Sequence, residues 1–378
     1  MTNRILVTST DLMMVQFLVP HIKNLSEHGY DIDLACSEVG GRMDEVRALL
    51  DEYTSAIHTV RLVRSPFSLT NLKGFRDMKK LLSTHHYDVI WTNEPVMGVA
   101  TRLAARQARK QGTKVIYMVH GFHFYKGAPF INWLLFCPVE TFASRLTDTI
   151  VTINKEDYYR ARVMHAHKTK YIHGIGVDTS RFDQSVEYTS LKAELELSKD
   201  TFLIVSVGEL LPHKNQQVII KALGQLHDES IHYILCGKGE MLNQLLSLAA
   251  HHNVSKQVHF LGYRKDLQNI FKQVDLMAFP SSREGLGLAA LEGMYCGLPL
   301  LTSCSRGAKD FMQNGKTGFM YAMDDVEGFA VGIKAMKDDP QLREVCGAFN
   351  REAVKPFCLD NVKKEVLAII EETFNEVR

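Results

Sequence analysis

The sequence predicts an α/β protein with two doubly wound domains, each a parallel sheet covered by helices on both faces. Three observations support this fold class. Strand-length apolar runs alternate with helix-length amphipathic segments, the alternation restarts near residue 200, and 378 residues exceed what a single hydrophobic core usually holds. The runs at 202–207 and 276–279 are apolar without alternation, which is typical of strands buried on both faces.

The predicted elements follow one another in a regular order. In the first half, strands are predicted at 5–8, 31–35, 88–91, 115–119 and 149–153, with helices such as 16–27 and 97–110 between them. A charged stretch of low hydrophobicity, 187–199, predicts a linker with a short helix. Strands are then predicted at 202–207, 232–236, 258–261, 276–279 and 298–302. Because open α/β sheets bind ligands at the carboxyl ends of their strands, we expect the site in the loops that follow.

Composition places the chain among ordinary folded proteins, with 46% hydrophobic and 23% charged residues. The formal net charge of +1 gives no support for nucleic-acid binding. Residues 1–185 carry 23 basic and 18 acidic side chains, whereas the remainder carries 21 and 25. The positive half is suited to an anionic acceptor or membrane surface, and random surface variation is the alternative interpretation.

The cysteines and the N-terminus predict a cytoplasmic protein. Seven cysteines form no CxxC pair, and most lie in apolar runs, as buried reduced thiols do. The chain enters a strand-like run at residue 5 without a signal-peptide layout. Since no apolar stretch approaches the roughly 18–20 residues that span a bilayer, we expect a soluble or peripheral protein.

The most informative segment extends from Glu284 to Glu292, after the predicted strand 276–279 and a short turn. Two glycines beside Glu284 allow close backbone approach to a ligand where a helix starts. If the segment were wholly helical, Glu292 would lie roughly 12 Å farther along the axis. Carboxylates accept hydrogen bonds from hydroxyl groups, so the pair suits a ligand with sugar hydroxyls at one end and ribose hydroxyls at the other. A loop glutamate and a solvated helix glutamate are the alternative.

Two further segments contain candidate ligand contacts. Gly208 ends an apolar strand and Lys214 falls where the next helix should begin, so a cation would lie beside helix-start amides at a diphosphate site. A solvated loop lysine is the alternative. The turn 237–240 lacks the third glycine of the dinucleotide fingerprint, and no such fingerprint follows the first strand. The turn is therefore interpreted as lining the same site.

Taken together, these segments resemble the retaining glycosyltransferases of family four, and the resemblance covers nearly the whole chain. Glu284 and Glu292 match the family's E-x7-E pattern, and Gly208 with Lys214 matches its G-x5-K donor loop. Residues 174–182 are similar to the family's interdomain hinge. Residues 118–127, 305–310 and 314–318 are similar to segments of its bacterial capsule and exopolysaccharide subgroup.

The resemblance implies a GT-B fold, in which two Rossmann-like domains face each other across a cleft. Residues 1–180 would form the acceptor-side domain, with helix 360–378 packing back on it, and 181–358 the nucleotide-sugar donor domain. The implied reaction moves a hexose or N-acetylhexosamine from a UDP-sugar to a glycan acceptor carried on a polyprenyl diphosphate, with retention. It implies no cofactor, no metal and no nucleic acid, and contact with the inner face of the cell membrane.

The resemblance also implies catalytic roles for three residues, His120, Lys214 and Glu284. Glu284 would hold donor-sugar hydroxyls, Lys214 would offset charge on the leaving diphosphate, and His120 would reach across the cleft toward the sugar. The other donor-binding candidates are Gly208, Glu209, Gly237, Tyr263, Arg264, Gly285, Leu286, Gly287, Leu288 and Glu292, of which Glu292 would hold the ribose. Thr10, His123 and Arg306 are candidates for acceptor binding or domain closure.

Two departures from the family pattern affect these expectations. Glu209 occupies a position that is usually arginine, so the diphosphate would lose a cation unless Glu209 points away or Arg306 substitutes. The first strand-to-helix loop, residues 8–11, lacks the paired glycines that many relatives have, which leaves acceptor or phosphate contact there open.

Metal binding is the weaker interpretation of several polar patterns. Asp31 and Asp33 form a D-x-D sequence, but their side chains would share one face of a strand at the sheet edge. The histidine pairs at 85–86, 120 with 123, 165 with 167, and 251–252 lack accompanying cysteine or carboxylate ligands at zinc-site spacing.

Three other functions stay open at this point. A nucleotide-sugar epimerase or hydrolase of the same fold would consume donor without acceptor, and an inactive sugar-nucleotide-binding subunit would bind it without turnover. A dinucleotide oxidoreductase is disfavoured by the missing fingerprint. The very apolar segment 129–136 is either core or a membrane-interface contact beside a lipid-linked acceptor.

Overall fold

A computed structural model describes residues 3–10, 12–38, 43–183 and 190–376. The chain divides into two compact units, one formed by Met1–Gly176 with Asp360–Arg378 and the other by Val177–Leu359. Each unit contains one parallel β-sheet, so the predicted fold class is confirmed. The first part of the predicted linker, residues 187–189, lies outside the described residues.

The first unit is built around a seven-stranded sheet. Its strands are β1 Arg4–Ser9, β2 Asp31–Cys36, β3 Ala56–Thr59, β4 Val89–Asn93, β5 Lys114–Val119, β6 Thr149–Thr152 and β7 Lys168–Tyr171. Its helices are α1 Leu12–Glu27, α2 Met43–Leu50, α3 Thr70–Thr84, α4 Pro95–Ala104, α5 Arg106–Lys110, α6 Phe130–Ser144 and α7 Lys155–Ala161. The order β3-β2-β1-β4-β5-β6-β7 places the topological switch between β1 and β4, both of which are apolar and buried.

The second unit is built around a six-stranded sheet. Its strands are β8 Phe202–Val207, β9 Ile231–Cys236, β10 Val258–Gly262, β11 Leu276–Phe279, β12 Leu300–Ser303 and β13 Gly318–Tyr321. Its helices are α8 Ser180–Asp183, α9 Leu191–Glu194, α10 Gln217–Leu226, α11 Leu242–His251, α12 Leu267–Phe271, α13 Leu288–Tyr295, α14 Ala308–Phe311, α15 Val326–Asp338 and α16 Pro340–Ala353. The order β10-β9-β8-β11-β12-β13 places this switch between β8 and β11.

The final helix, α17 Leu359–Asn375, belongs to the first unit from Asp360 onward. It buries Val362, Val366, Ile370 and Phe374, which recur every four residues and so form one face of the helix. Val366 and Ile370 face the strand residue Trp91 across a small cavity. Ion pairs from Lys168 and Lys170 to Glu372 anchor the other side of α17.

Two details of the first unit differ from the sequence-based expectations. The predicted helix 97–110 is two helices, α4 and α5, interrupted at Ala105. The strand β2, which contains Asp31 and Asp33, lies inside the sheet with β3 at the edge, so the expected edge position is wrong. Within the described residues, no helix combines the length and apolar character needed to cross a bilayer.

Candidate active site

The candidate site of the second unit lies where the loops after β8 and β11 meet. Nζ of Lys214 lies 2.6 Å from Oε1 of Glu284, and both side chains are mostly buried. Because β8 and β11 are neighbours at the switch point, the chain continues from them toward opposite faces of the sheet, and their loops border a crevice at the strand ends. The structure therefore brings together two of the three predicted catalytic residues at the place where such sheets bind ligands.

Side-chain and backbone hydrogen bonds fix the Lys214 loop against the Glu284 loop. Residues Pro212–Lys214 form one 3-10 turn, and Asn215 ends it in the left-handed conformation with φ 55°. The Asn215 amide donates to the carbonyl oxygens of Pro280 and Met323, at 3.2 and 2.7 Å. The backbone N–H of Ser282 donates to the His213 carbonyl at 2.8 Å. Lys214 is thus held on a positioned turn.

Two glycines are required by close packing in these loops. At Gly237, a Cβ would lie 1.8 Å from the Gly208 carbonyl oxygen, so the loops after β8 and β9 approach each other backbone to backbone. Gly287 has φ 109°, and a Cβ there would lie 2.7 Å from the ring of Phe279. No other residue fits either position without displacement of a neighbour.

Glu292 lies on α13 and is partly shielded from solvent. Burial raises its pKa, which the hydrogen-bonded partner Arg181 partly offsets. The helix begins only at Leu288, after the left-handed Gly287, so the roughly 12 Å spacing expected for a wholly helical segment does not apply. Gly285 and the buried Leu286 lie in the intervening loop.

The environment of Glu209 differs from that of Arg306. The Glu209 side chain is exposed, whereas Arg306 is only 9% exposed and donates from Nε to the Glu284 carbonyl oxygen at 3.1 Å. Arg306 therefore brings a guanidinium to the loop that contains Glu284. Its substitution for the missing loop arginine stays a prediction, as does donor contact by Glu209.

Two of the predicted donor-binding residues, Tyr263 and Arg264, follow β10. Tyr263 is 70% exposed, and its ring is available for stacking. Arg264 is held by Glu194 and Asp266, with its guanidinium nitrogens 2.5 and 2.7 Å from their carboxylates. These ion pairs raise the Arg264 pKa and occupy much of the guanidinium, which leaves its backbone better placed than its side chain for ligand contact.

In the first unit, His120 directly follows β5 and contacts the end of β4. The Asn93 amide donates to the Thr8 carbonyl oxygen at 3.1 Å, so its Oδ1 accepts from Nε2 of His120 at 3.0 Å. This arrangement puts the ring proton on Nε2 and leaves Nδ1 as an acceptor. Burial, with a smaller contribution from His21, lowers the His120 pKa to about 4, so the ring is neutral at pH 7.

Glu94 is a candidate that the sequence analysis missed. It lies after β4 with φ 62°, is 9% exposed, and accepts hydrogen bonds from Ser9 Oγ and the Thr10 backbone at 2.9 and 2.5 Å. A positive φ in a non-glycine residue is uncommon, and such residues occur more often at active sites than elsewhere. The signal in the sequence is a polar pair, Asn93 and Glu94, between an apolar strand and the helix-starting Pro95.

The other first-unit candidates lie near Glu94. Thr10 is buried beside it, and His123 is exposed, with its ring centroid 4.8 Å from that of Phe136. Thr10, Glu94 and His123 line one apolar groove of the first unit.

The D-x-D pair takes part in a structural ion-pair network. The fully buried Asp33 accepts from Tyr87 at 2.5 Å and lies 3.0 Å from both Arg4 and His58. Arg4 also lies 3.4 Å from Asp31. Among the described residues, no cluster of three or more histidine, cysteine or acidic side chains is arranged to hold a metal ion.

Comparison with known proteins identifies the family. Residues 6–154 match the family model described as glycosyl transferase 4-like, and residues 187–353 match that of glycosyl transferases group 1. A glycosyltransferase of Bacillus subtilis (strain 168), EpsD, is 35% identical over 364 residues, which cover 94% of this chain and 93% of EpsD. The chain belongs to glycosyltransferase family four.

This family-four glycosyltransferase is also similar to an Escherichia coli enzyme, the UDP-Gal:alpha-D-GlcNAc-diphosphoundecaprenol alpha-1,3-galactosyltransferase. The two are 28% identical over 351 residues, which cover 90% of this chain and 88% of the enzyme. Among solved structures, Anabaena HepE in complex with UDP superposes with a TM-score of 0.80 at 20% identity, over 98% of this chain and 100% of HepE. The likeness to HepE shows the GT-B fold.

Proposed function

We propose that this glycosyltransferase moves a hexose or N-acetylhexosamine from a UDP-sugar to a lipid-linked glycan, with retention of configuration, in capsule or exopolysaccharide biosynthesis. The observation that carries the proposal is the Lys214–Glu284 contact at the switch point of the second sheet. An ammonium group can bind the phosphate side of a scissile sugar–phosphate bond, and a neighbouring carboxylate can bind hydroxyl groups on the sugar side.

The chemistry of the pair matches the two parts of the donor. An ammonium group has three donors, so Lys214 can hold Glu284 and still contact the diphosphate as negative charge develops on it. Glu284 has a second oxygen and further lone pairs for sugar hydroxyls. Glu292 would accept hydrogen bonds from the ribose hydroxyls in place of its hydrogen bond from Arg181. We propose that this exchange is part of donor binding.

The names of related proteins support the choice of donor and acceptor. The Escherichia coli relative is named for UDP-galactose and a diphosphoundecaprenol acceptor, and HepE structures are described with UDP, UDP-glucose and glucose. We propose UDP as the base-containing leaving group on this support. In the retaining mechanism that we propose, the leaving phosphate assists the acceptor hydroxyl on the same face of the sugar, without a metal or another cofactor.

The first unit would supply the acceptor side. His120 is neutral at pH 7 and offers Nδ1 as an acceptor. It can therefore accept a hydrogen bond from a sugar hydroxyl without the free-energy cost of burying a charge. We propose a catalytic role for His120 in positioning the transferred sugar. Thr10 and His123 are proposed to contact the acceptor.

Peripheral membrane contact is proposed from the surface of α6. One side of this helix packs inward through Trp133, Phe136 and Cys137, so the predicted segment 129–136 is partly core. The opposite stripe is exposed and apolar, and consists of Phe130, Ile131, Leu134, Leu135, Val139 and Phe142. Such a stripe suits insertion at the headgroup boundary of a bilayer.

The test is a transfer assay with matched variants. Purified protein is given UDP-galactose, UDP-glucose, UDP-N-acetylglucosamine or GDP-mannose with a GlcNAc-diphospholipid acceptor, and the first-formed product is analysed by mass spectrometry and NMR. We expect one UDP-sugar to yield an α-linked product in the presence of EDTA. Glu284→Gln and Lys214→Ala should each lower kcat about 10²–10³-fold. The exposed-site controls Glu344→Gln and Lys334→Ala should retain transfer.

Other outcomes would replace the proposal. Conversion or hydrolysis of UDP-sugar without acceptor would indicate an epimerase or hydrolase. A thermal shift with UDP but no turnover with any acceptor would indicate a nucleotide-sugar-binding subunit. A β-linked product would reject retention, and a strict Mn²⁺ requirement would reject the metal-free mechanism.

A further inference from the structure

An open apolar groove lies on the first unit, between α3 and α6, which both pack on α4. It encloses about 800 Å³, which is within the range of cavities that hold small-molecule ligands. Its walls include Leu72 and Phe75 of α3, Val99 and Leu103 of α4, and Leu135 and Val139 of α6. We refer to it as the α3–α6 groove.

One end of the α3–α6 groove is polar. Thr10, Arg64, Glu94 and His123 line it there, and three of these residues follow β1, β4 and β5. Arg64 is 54% exposed, and its Nε lies 3.9 Å from Glu94, a loose ion pair that a phosphate could replace. The groove therefore joins an apolar channel to the strand ends where the acceptor sugar is expected.

The Glu140 carboxylate, at the base of the groove, has its charge paired within the fold. Glu140 is 4% exposed and accepts from Arg102 at 2.7 Å and from the Tyr117 hydroxyl at 3.0 Å. Arg102 lies over the Tyr117 ring, with its guanidinium carbon 3.8 Å from the ring centroid. Because this charge is paired inside the fold, the groove floor presents little polarity to an occupant.

The basic side chains beside the groove would attract an anionic head group. Residues 61–84 contain six lysines and arginines and a single aspartate, Asp77. Asp77 is bound by Arg61 at 2.6 Å. Lys73, Arg76, Lys79 and Lys80 of α3 are exposed. An amphiphile with a hydrocarbon chain and a phosphorylated head would match both the apolar walls and this charge.

We infer that the α3–α6 groove binds the first part of the hydrocarbon chain of a lipid diphosphate, with the diphosphate near Arg64. The inference rests on the proposed function, since it assigns this lipid as the acceptor carrier. A hydrocarbon chain fits better than a peptide because a peptide backbone would lose hydrogen bonds against apolar walls. Leu135 and Val139 belong both to the exposed stripe of α6 and to the groove wall, so the hydrocarbon chain would enter along that stripe and direct the acceptor sugar to the strand ends.

The test measures binding of soluble prenyl diphosphates by titration calorimetry below their micelle concentrations. Geranyl, farnesyl and geranylgeranyl diphosphate form a series of increasing chain length, and inorganic diphosphate reports the head alone. We expect Kd to fall about tenfold or more for each added isoprene unit until the groove is filled. Val139→Arg and Leu72→Arg, on opposite walls, should weaken geranylgeranyl diphosphate binding at least tenfold.

Val163→Arg is the matched control, because Val163 is 82% exposed on the same unit and does not line the groove. It should keep the wild-type dependence on chain length. Equal Kd values across the prenyl series, or unchanged geranylgeranyl binding in both groove variants, would overturn the inference. So would groove variants that lose only binding to phosphatidylglycerol vesicles, since the surface would then serve the bilayer.

Different measurements test the inference and the proposed function, so each can be rejected without the other. UDP-sugar transfer is measured with a water-soluble, short-chain acceptor, while prenyl diphosphate binding needs no donor. Chain-length-dependent binding without any sugar transfer would reject the proposed function and keep the groove assignment. Sugar transfer without chain-length-dependent binding would reject the groove assignment and keep the proposed function.

Discussion

Nζ of Lys214 lies 2.6 Å from Oε1 of Glu284, although 70 residues separate the two in the chain. Adjacent strands at the switch point bring them together, and Asn215 and Ser282 hold their loops in place. The two side chains are mostly buried but remain partly accessible to a ligand. Substitutions at this pair should therefore change both the free energy of unfolding and the rate of sugar transfer.

A double-mutant cycle on this pair should show coupling. Lys214→Ala and Glu284→Gln are combined, and the free energy of unfolding is measured by urea denaturation at pH 7. We expect the double variant to lose less than the sum of the single variants, with a coupling energy of about 0.5–3 kcal/mol, because each single variant leaves a charge without its partner. The exposed pair Lys334 and Asp338 should show about 0.5 kcal/mol or less.

Removal of Arg181 should destabilise the second unit through Glu292. Arg181→Met leaves a shielded carboxylate without its cation, and its already raised pKa should rise further. We expect a loss of about 1–3 kcal/mol at pH 7 that shrinks as Glu292 becomes protonated at lower pH. Adding Glu292→Gln should recover part of it.

The control for this prediction is Lys355→Met, at an exposed pair with Glu352, which should change stability little. An equal loss in Arg181→Met at all pH values would show that packing, and not the charge of Glu292, is responsible.

Acid should destabilise the first unit through His21. Burial lowers the His21 pKa to about 4, against about 6.5 in an unfolded chain, while its Nε2 donates to the Ile175 carbonyl. Between these values the unfolded state binds a proton that the folded state does not. Stability therefore falls as pH drops from 6.5 to 4, by up to about 1.4 kcal/mol per pH unit.

His21→Gln should make the dependence of Tm on pH shallower in this range, while the contribution of His120, whose pKa is also lowered to about 4, should remain. His28→Gln, at an exposed histidine of the same unit, should leave it unchanged. Parallel Tm curves for wild type and His21→Gln between pH 4 and 6.5 would contradict the assignment.

Gly287→Ala should impair both folding and donor binding. The substitution adds strain at φ 109° and places a Cβ 2.7 Å from the Phe279 ring, for a total cost of about 2–4 kcal/mol. Gly315→Ala is the control, since Gly315 has φ 79° but open space around its Cα. Gly287→Ala should lower both the Tm and the affinity for UDP more than Gly315→Ala does. Equal effects of the two variants would show that backbone strain, and not the contact with Phe279, is responsible.

The central strands could be predicted from the sequence because burial on both faces makes them continuously apolar. The strands that were missed are β3, β7 and β13, and each is an edge strand of its sheet. Their residues are mostly half-exposed. β7 reads Lys-Thr-Lys-Tyr and β3 reads Ala-Ile-His-Thr, neither of which is an apolar run, whereas β13 reads Gly-Phe-Met-Tyr and is only four residues long. Hydrophobic patterning thus predicted every inner strand and one edge strand, β10, but not the other three edge strands.

The site could be predicted in part. Strand-end position and spacing led to Glu284 and Lys214, but their contact depends on strand order, which the residue pattern does not encode. Glu94 was missed because its significance lies in a positive φ and in bonds to Ser9 and Thr10, 84 or more residues away. The α3–α6 groove was missed because its walls come from three helices whose apolar residues look like ordinary core.

The return of α17 to the first unit makes the second unit an insertion. Its two ends are adjacent, since the Val177 N–H donates to the Phe357 carbonyl and the Leu359 N–H donates to that of Val177, both at 2.9 Å. During synthesis, the ribosome therefore releases the whole inserted unit before the first sheet receives the helix that covers it. Until α17 is synthesised, Trp91 and its neighbours in the first sheet lack the helix that packs against them.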